Sequence, residues 1–167
     1  MTSAPLRATC ACGKVEIEAV GPPIATASCY CDDCQEAARK IEAMPGAPAF
    51  RDGDGGTPMV VFRKDRIRCV RGGELLTSLK LRETSPTNRR IATCCNSAML
   101  LDFDKFMHWS DIYAARVTGD APKPEMRTCT KFAAHLSPDG PPAYSGYPTR
   151  LLLKLLGARV EMLFSKS

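Results

Sequence analysis

Seven of the nine cysteines stand in three tight groups: Cys10 and Cys12 in "ATCACGKV", Cys29, Cys31 and Cys34 in "CYCDDC", and Cys94 and Cys95 in "ATCCNSAML". Thiols one or two residues apart are metal ligands in waiting. Thiolate sulfur selects zinc, copper(I) or iron–sulfur clusters, and tetrahedral zinc with bonds of about 2.3 Å is the commonest result of short-spaced cysteines. A disulfide framework would ask for an even count, an oxidising compartment and a shorter, loop-rich chain, so metal ligation is the better reading. "CYCDDC" brings only three thiolates and cannot close a tetrahedral site alone. Its fourth position is open to water or substrate, or is filled from elsewhere in the chain.

Other chemistry-bearing residues carry weaker signals. His108 and His135 have no cysteine at ligand spacing and read as surface or core residues. Cys69 and Cys129 read as small core or surface residues. Asp32 and Asp33 suit the opening of a helix better than proton transfer. Tyr30 either stacks in the core or packs over a substrate. Arg89 and Arg90 read as a solvated pair, with attraction of an anionic thiol, or balance of thiolate charge, as the alternative.

The elements that must position these groups are mostly short and extended. "KVEIEAV" alternates Val15, Ile17 and Ala19 with charged residues, a half-buried strand ended by "GPP". "IATASC" reads as the returning strand and leads into the second cluster. "DDCQEAARKIEAM", from Asp32 to Met44, has an acidic start, Ala37, Ala38 and Ile41 on one face, and Pro45–Gly46 as a stop, which predicts a short helix. "PGAPAFRDGDGGTP" is a loop. "MVVFR", "RIRCVR", "LLTSLKL", "RRIAT", "SAMLLDF" and "DIYAARV" follow as strands of an antiparallel sheet. "TRLLLKLLGARVEMLF" predicts a terminal amphipathic helix. Packing on the domain is its expected role, with pairing in a homodimer next.

Each cysteine group thus falls at an element end, where a chain turns sharply enough to aim neighbouring side chains at one ion, and Gly13 tolerates the backbone such a turn needs. Adjacent residues in a flat strand point to opposite faces. Cys94 and Cys95 therefore share an ion only if their strand ends or bulges there.

Composition excludes several classes. The 167-residue chain is 44% hydrophobic, enough for one core. Its 23 basic and 18 acidic residues are interleaved, which favours a solvated surface over a nucleic-acid site. "MTSAPLRA" holds no apolar run of signal-peptide length, and the longest apolar stretch is interrupted by Lys154, Arg159 and Glu161. A cytoplasmic protein without a membrane span is expected.

The order C-x-C-G-x-V, then C-x-C-x-x-C before a helix, then a late cysteine turn resembles the family of glutathione-dependent formaldehyde-activating enzymes and centromere protein V. The resemblance covers roughly residues 7 to 118, with "CACGKV" and "CYCDDC" matching position by position and "RKDRIRCVRGGELLTSLKL" looking like the segment before the last zinc motif. It implies a mainly β fold, a β-tent of antiparallel sheets pinned by zinc. On that scheme residues 1–135 form the zinc-binding domain, and residues 136–167 a linker and a helix packed on it. It implies one or two Zn2+ ions: a structural zinc on Cys10, Cys12 and the late turn, and a second, catalytic zinc on Cys29, Cys31 and Cys34 with an open site. The late turn departs from the usual C-x-x-C-G, with Ala92 where the first cysteine should be and Asn96 at the glycine. Either Cys94 substitutes by a backbone shift, giving Cys10, Cys12, Cys94 and Cys95 on one ion, or that site has three protein ligands, or Cys94 is turned to the opposite side. The implied activity is a zinc-dependent carbon–sulfur lyase acting on a thiol adduct of an aldehyde, with glutathione as candidate thiol. The alternative is a non-catalytic, zinc-stabilised binding domain.

Overall fold

The computed structural model describes residues 4–104 and 106–165. It is mainly β, with two sheets and two α-helices among the described residues. β1 (Leu6–Thr9) and β2 (Glu16–Ala19) form an antiparallel hairpin, and β5 (Ile67–Arg71) pairs with the other edge of β2. The alternation in "KVEIEAV" is obeyed: Val15, Ile17 and Ala19 are buried. Glu18 is buried as well, because Arg7 and Arg68 close over it at 2.9 and 2.8 Å.

The larger sheet holds β3 (Ala25–Cys29), β4 (Thr57–Arg63), β6 (Leu76–Leu79), β7 (Thr87–Ala92), β8 (Ser97–Phe103), β9 (Trp109–Tyr113) and β10 (Met126–Thr128). Its order is β10-β3-β4-β9-β8-β7-β6, antiparallel except for the β10–β3 pair. "IATASC" does not return alongside β2 as expected. Every residue of β3 is buried, which requires partners on both edges and cover on both faces, and the free edge of β2 belongs to β5. Gly21, at φ +77°, turns the chain out of the small sheet before β3 begins.

Alternation along the large sheet sends two sets of side chains to opposite faces. Val60, Phe62, Leu100 and Ile112 pack against Ile17 and Val15 of the small sheet. On the other face, Met59, Leu101 and Tyr113 meet Ala38 and Ile41 of α1 (Asp32–Glu42). Further along that face, Ala25, Ala27 and Val61 meet Leu151 and Leu155 of α2 (Thr149–Phe164). α2 buries only Leu151 and Ala158, and Leu152, Leu153 and Leu156 are exposed. Arg150 and Lys154 hold it to Glu125 at 2.8 and 2.6 Å, and His108 Nε2 donates to the Leu155 carbonyl at 2.7 Å. No helix among the described residues is long and apolar enough to cross a membrane.

Candidate metal centres and the adjoining cavity

Cys10 and Cys12 lie in the β1–β2 turn. Cys10 N–H donates to the Val15 carbonyl at 3.0 Å, Gly13 N–H donates back to the Cys10 carbonyl at 2.9 Å, and Gly13 takes φ +78°. Cys94 and Cys95 lie in the turn between β7 and β8, so the strand has ended and both thiols reach one side. Asn96 adopts φ +53° there, the left-handed conformation that asparagine tolerates best after glycine. It takes there the conformation that a glycine would supply.

These two turns bring four thiols together. Cys10 Sγ lies 3.6 Å from Cys12 Sγ and 3.8 Å from Cys94 Sγ; Cys12–Cys94 is 3.3 Å and Cys94–Cys95 is 3.9 Å. Four sulfurs at about 2.3 Å around a tetrahedral ion would stand about 3.8 Å apart, so the donor set fits a closed site. The cysteines are free thiols. The Val15 N–H points at Cys10 Sγ at 3.2 Å, and Ser97 Oγ lies 3.1 Å from Cys95 Sγ. Burial pushes the Cys95 thiol up, but hydrogen bonds from Ser97 and its neighbours outweigh it and bring the pKa down to about 6. An ion here would tie the small sheet to the large one.

The second group is built by the exit of β3 and the start of α1. Cys29 ends the strand, Cys31 is the helix N-cap and accepts from Cys34 N–H at 3.3 Å, and Cys34 lies in the first turn. The three sulfurs lie within 4.8 Å of one another. Hydrogen bonds from Cys29 and Cys34 stabilise the Cys31 thiolate and pull its pKa down to about 3, whereas Cys129, Cys31 and Cys34 push Cys29 up. Asp32 and Asp33 open the helix, and Asp33 pairs with Arg82 at 2.9 Å.

One assignment changes, that of Arg89, and the open readings of Cys129 and Tyr30 resolve to the core. Cys129 is buried beside Cys29, at the end of β10 in a left-handed conformation, φ +56°. The parallel pairing of Thr128 with Cys29 delivers it, a contact across 100 residues that spacing could not reveal. Arg89 is not half of a solvated pair. It is 1% exposed, donates through Nη2 to the Asp33 carbonyl at 3.2 Å, and leaves Nε and Nη1 without partners. Arg90 keeps the surface role, 3.7 Å from Asp102. Tyr30 turns away from the cysteines and donates to Asp54 Oδ2 at 2.8 Å.

The Cys29–Cys31–Cys34 group forms one end of a cavity of about 320 Å³ between the large sheet and α2. Its walls are mostly apolar, including Val61, Leu101, Trp109 and Leu155. Two charged-type side chains of the sheet floor interrupt them. Arg89, Leu101 and Asp111 sit side by side on β7, β8 and β9. Asp111 Oδ1 is buried without a partner, and burial, with the neighbouring charge of Asp102, pushes its carboxyl up to about 7. Sequence reasoning missed Asp111. The available signal was its place in "WSDIY", where alternation puts it on the same face as the inward Trp109 and Tyr113.

Fold and site together define a mainly β domain with two groups of thiols able to hold metal ions. Residues 5–47 match the family model described as glutathione-dependent formaldehyde-activating enzyme, and that segment carries both "CACGKV" and "CYCDDC". A Rhodobacter sphaeroides protein of known crystal structure, a structural genomics target, is 20% identical, with 70% of this chain and 91% of that chain covered and a TM-score of 0.49. No curated protein matches the chain.

Proposed function

We propose that the chain is a zinc-dependent enzyme of carbon–sulfur lyase type, cleaving the thiol adduct of an aldehyde, with glutathione as the candidate thiol. The observation that carries this reading is the three-thiol group opening into a cavity, alongside a second group whose four thiols fit a closed site. Cys10, Cys12, Cys94 and Cys95 would hold a structural ion, and Cys29, Cys31 and Cys34 a catalytic one. A zinc ion on three thiolates would supply a soft Lewis acid suited to a substrate sulfur, weaker than one held by three imidazoles.

The chain's own residues do the rest. The cavity walls exclude water from the adduct, and Arg89 offsets the negative charge gathered by the thiolates. Cleavage breaks the C–S bond of R–S–CH(OH)–R′. The electron pair goes to sulfur, the hydroxyl proton leaves as the carbonyl forms, and the sulfur regains a proton, with no net oxidation. Asp111, titrating near neutrality in the cavity floor, accepts the hydroxyl proton.

Turnover of S-hydroxymethylglutathione by zinc-loaded protein tests this. Release of formaldehyde, lost in Cys31→Ser while the fold persists, is expected; two bound zincs without turnover of any thiol adduct would count against it. One observation favours a non-catalytic zinc-stabilised domain instead: Cys129 is buried in contact with Cys29, outside the three-thiol group but within a small shift of offering it a fourth thiol. On that reading Cys129→Ser weakens zinc retention at the second group; on the catalytic reading it does not.

A further inference from the structure

α2 is apolar on both faces. Leu151 and Ala158 are buried against the sheet, as a surface helix requires. At about 100° per residue, Leu152, Leu153, Leu156, Val160, Leu163 and Phe164 form a second stripe, roughly 120° wide, on the opposite face. These six are 44% to 77% exposed. A helix that is hydrophobic all round is one that something else covers.

The spacing of the stripe identifies the cover. Its six residues follow one another at intervals of 1, 3, 4, 3 and 1, which read the same from either end. Turned end for end about a twofold axis, the stripe therefore meets itself. Leu156 falls against Val160 of a second copy on both sides of the axis, and Leu152 and Leu153 fall against Leu163 and Phe164 of that copy at each end. Leu153, Leu156, Val160 and Leu163 also keep the alternating three- and four-residue spacing of a coiled-coil seam. Gly157, beside the seam, has open space where a side chain would stand. Arg159 lies exposed at its rim, where a long side chain reaches water.

We propose that the outward face of α2 is a homodimer interface, two copies pairing antiparallel through this stripe about a twofold axis between Leu156 and Val160. Area and charge agree. The six exposures amount to roughly 700 Å² per copy, close to the ~800 Å² that each partner gives a standard interface. A lipid surface would ask for free cations around the stripe, but Arg150 and Lys154 are both paired with Glu125, and Glu161 adds a negative charge. Leu152 also lines the cavity, so the pairing brings the second copy to the rim of that space. It stands whether or not the chain is a lyase.

Sedimentation equilibrium of the metal-loaded full chain, from about 1 to about 100 µM, tests the pairing. Twice the chain mass at the upper end is expected; a monomer throughout overturns the proposal. Leu156→Glu should raise the dimer dissociation constant about a hundredfold, because each copy then buries a carboxylate against apolar neighbours. Metal content and circular dichroism should stay native. Val70→Glu, at an exposed apolar residue of β5, should leave the dimer as it is. A dimer that tolerates Leu156→Glu, or one lost equally in Val70→Glu, overturns the assignment to α2.

Mixing variants reads the register. Val160→Lys should also dissociate alone, whereas an equimolar mixture of Leu156→Glu and Val160→Lys should recover a dimer, because the glutamate then stands opposite the lysine. A parallel pair would set position 156 against 156 and leave the mixture monomeric, which refutes the antiparallel arrangement. Both positions are exposed, so either variant alone tests the interface should the other misfold. Co-sedimentation of a monomeric native chain with phosphatidylserine vesicles, abolished in Leu156→Glu, would give the face to a membrane and overturn the second copy as its occupant.

Discussion

Replacing Asp111 with asparagine should remove a pH dependence of stability that the native chain carries. Asp111 lies in the middle of β9, paired with Val61 on one side and Leu101 on the other, and is 7% exposed. Its carboxyl titrates at about 7 in the fold, against 3.8 for a free side chain, because burial and the charge of Asp102 oppose ionisation. The native state therefore keeps a proton that the unfolded chain releases above pH 4. With fewer protons bound in the unfolded state, stability falls as pH rises, by about 1.4 kcal/mol per pH unit across the window from about 4 to about 7. The full effect is about 4 kcal/mol, present below pH 4 and lost by pH 7. The asparagine amide of the variant has no such proton to release. Denaturant unfolding of both metal-loaded proteins across pH 4.5 to 8 measures the difference directly, and the cysteine titrations common to both cancel in it. Asp111→Asn should gain on the native chain steadily up to pH 7 and level off beyond. A difference that stays flat across that window would refute the buried carboxyl that ionises only near pH 7, and with it the assignment as proton acceptor.

Other outcomes follow from the same geometry. Cys31→Ser should lose one metal ion by elemental analysis while its circular dichroism stays native. Cys12→Ser should lose the other ion and a tie between residues 82 apart in sequence; treated as a cross-link, that tie is worth about 4.5 kcal/mol by loop-closure entropy, read as a fall in unfolding midpoint. Gly56→Ala should destabilise by about 2 kcal/mol, because an added Cβ would meet Ser28 Oγ at 2.5 Å and the Tyr30 ring at 2.6 Å. If Asp111 accepts the proton, the rising limb of the pH–rate profile should lie near pH 7 in the native chain and be absent in Asp111→Asn.

The strands from "MVVFR" onward, α1 and α2 were legible because each has a period or a stop signal of its own. β1 and β10 were not: four and three residues are too few to show alternation. The partner of β3 was also hidden, since pairing depends on which edges remain free after the whole sheet assembles. The seven clustered cysteines declared themselves by spacing. Arg89, Asp111 and Cys129 did not, because their roles come from burial and from strands meeting across long stretches of chain. "NRRIA" reads as polar until β7 turns Arg89 inward beneath α1.

Metal content of purified, reduced protein, counted per chain and followed by cobalt substitution, tests the central claim most directly. Two ions per chain are expected, with cobalt showing the intense sulfur-to-metal charge-transfer absorption of thiolate ligands and losing part of it in Cys12→Ser and a separate part in Cys31→Ser. A compact, soluble chain that binds no transition metal, or cobalt without thiolate absorption, would contradict it.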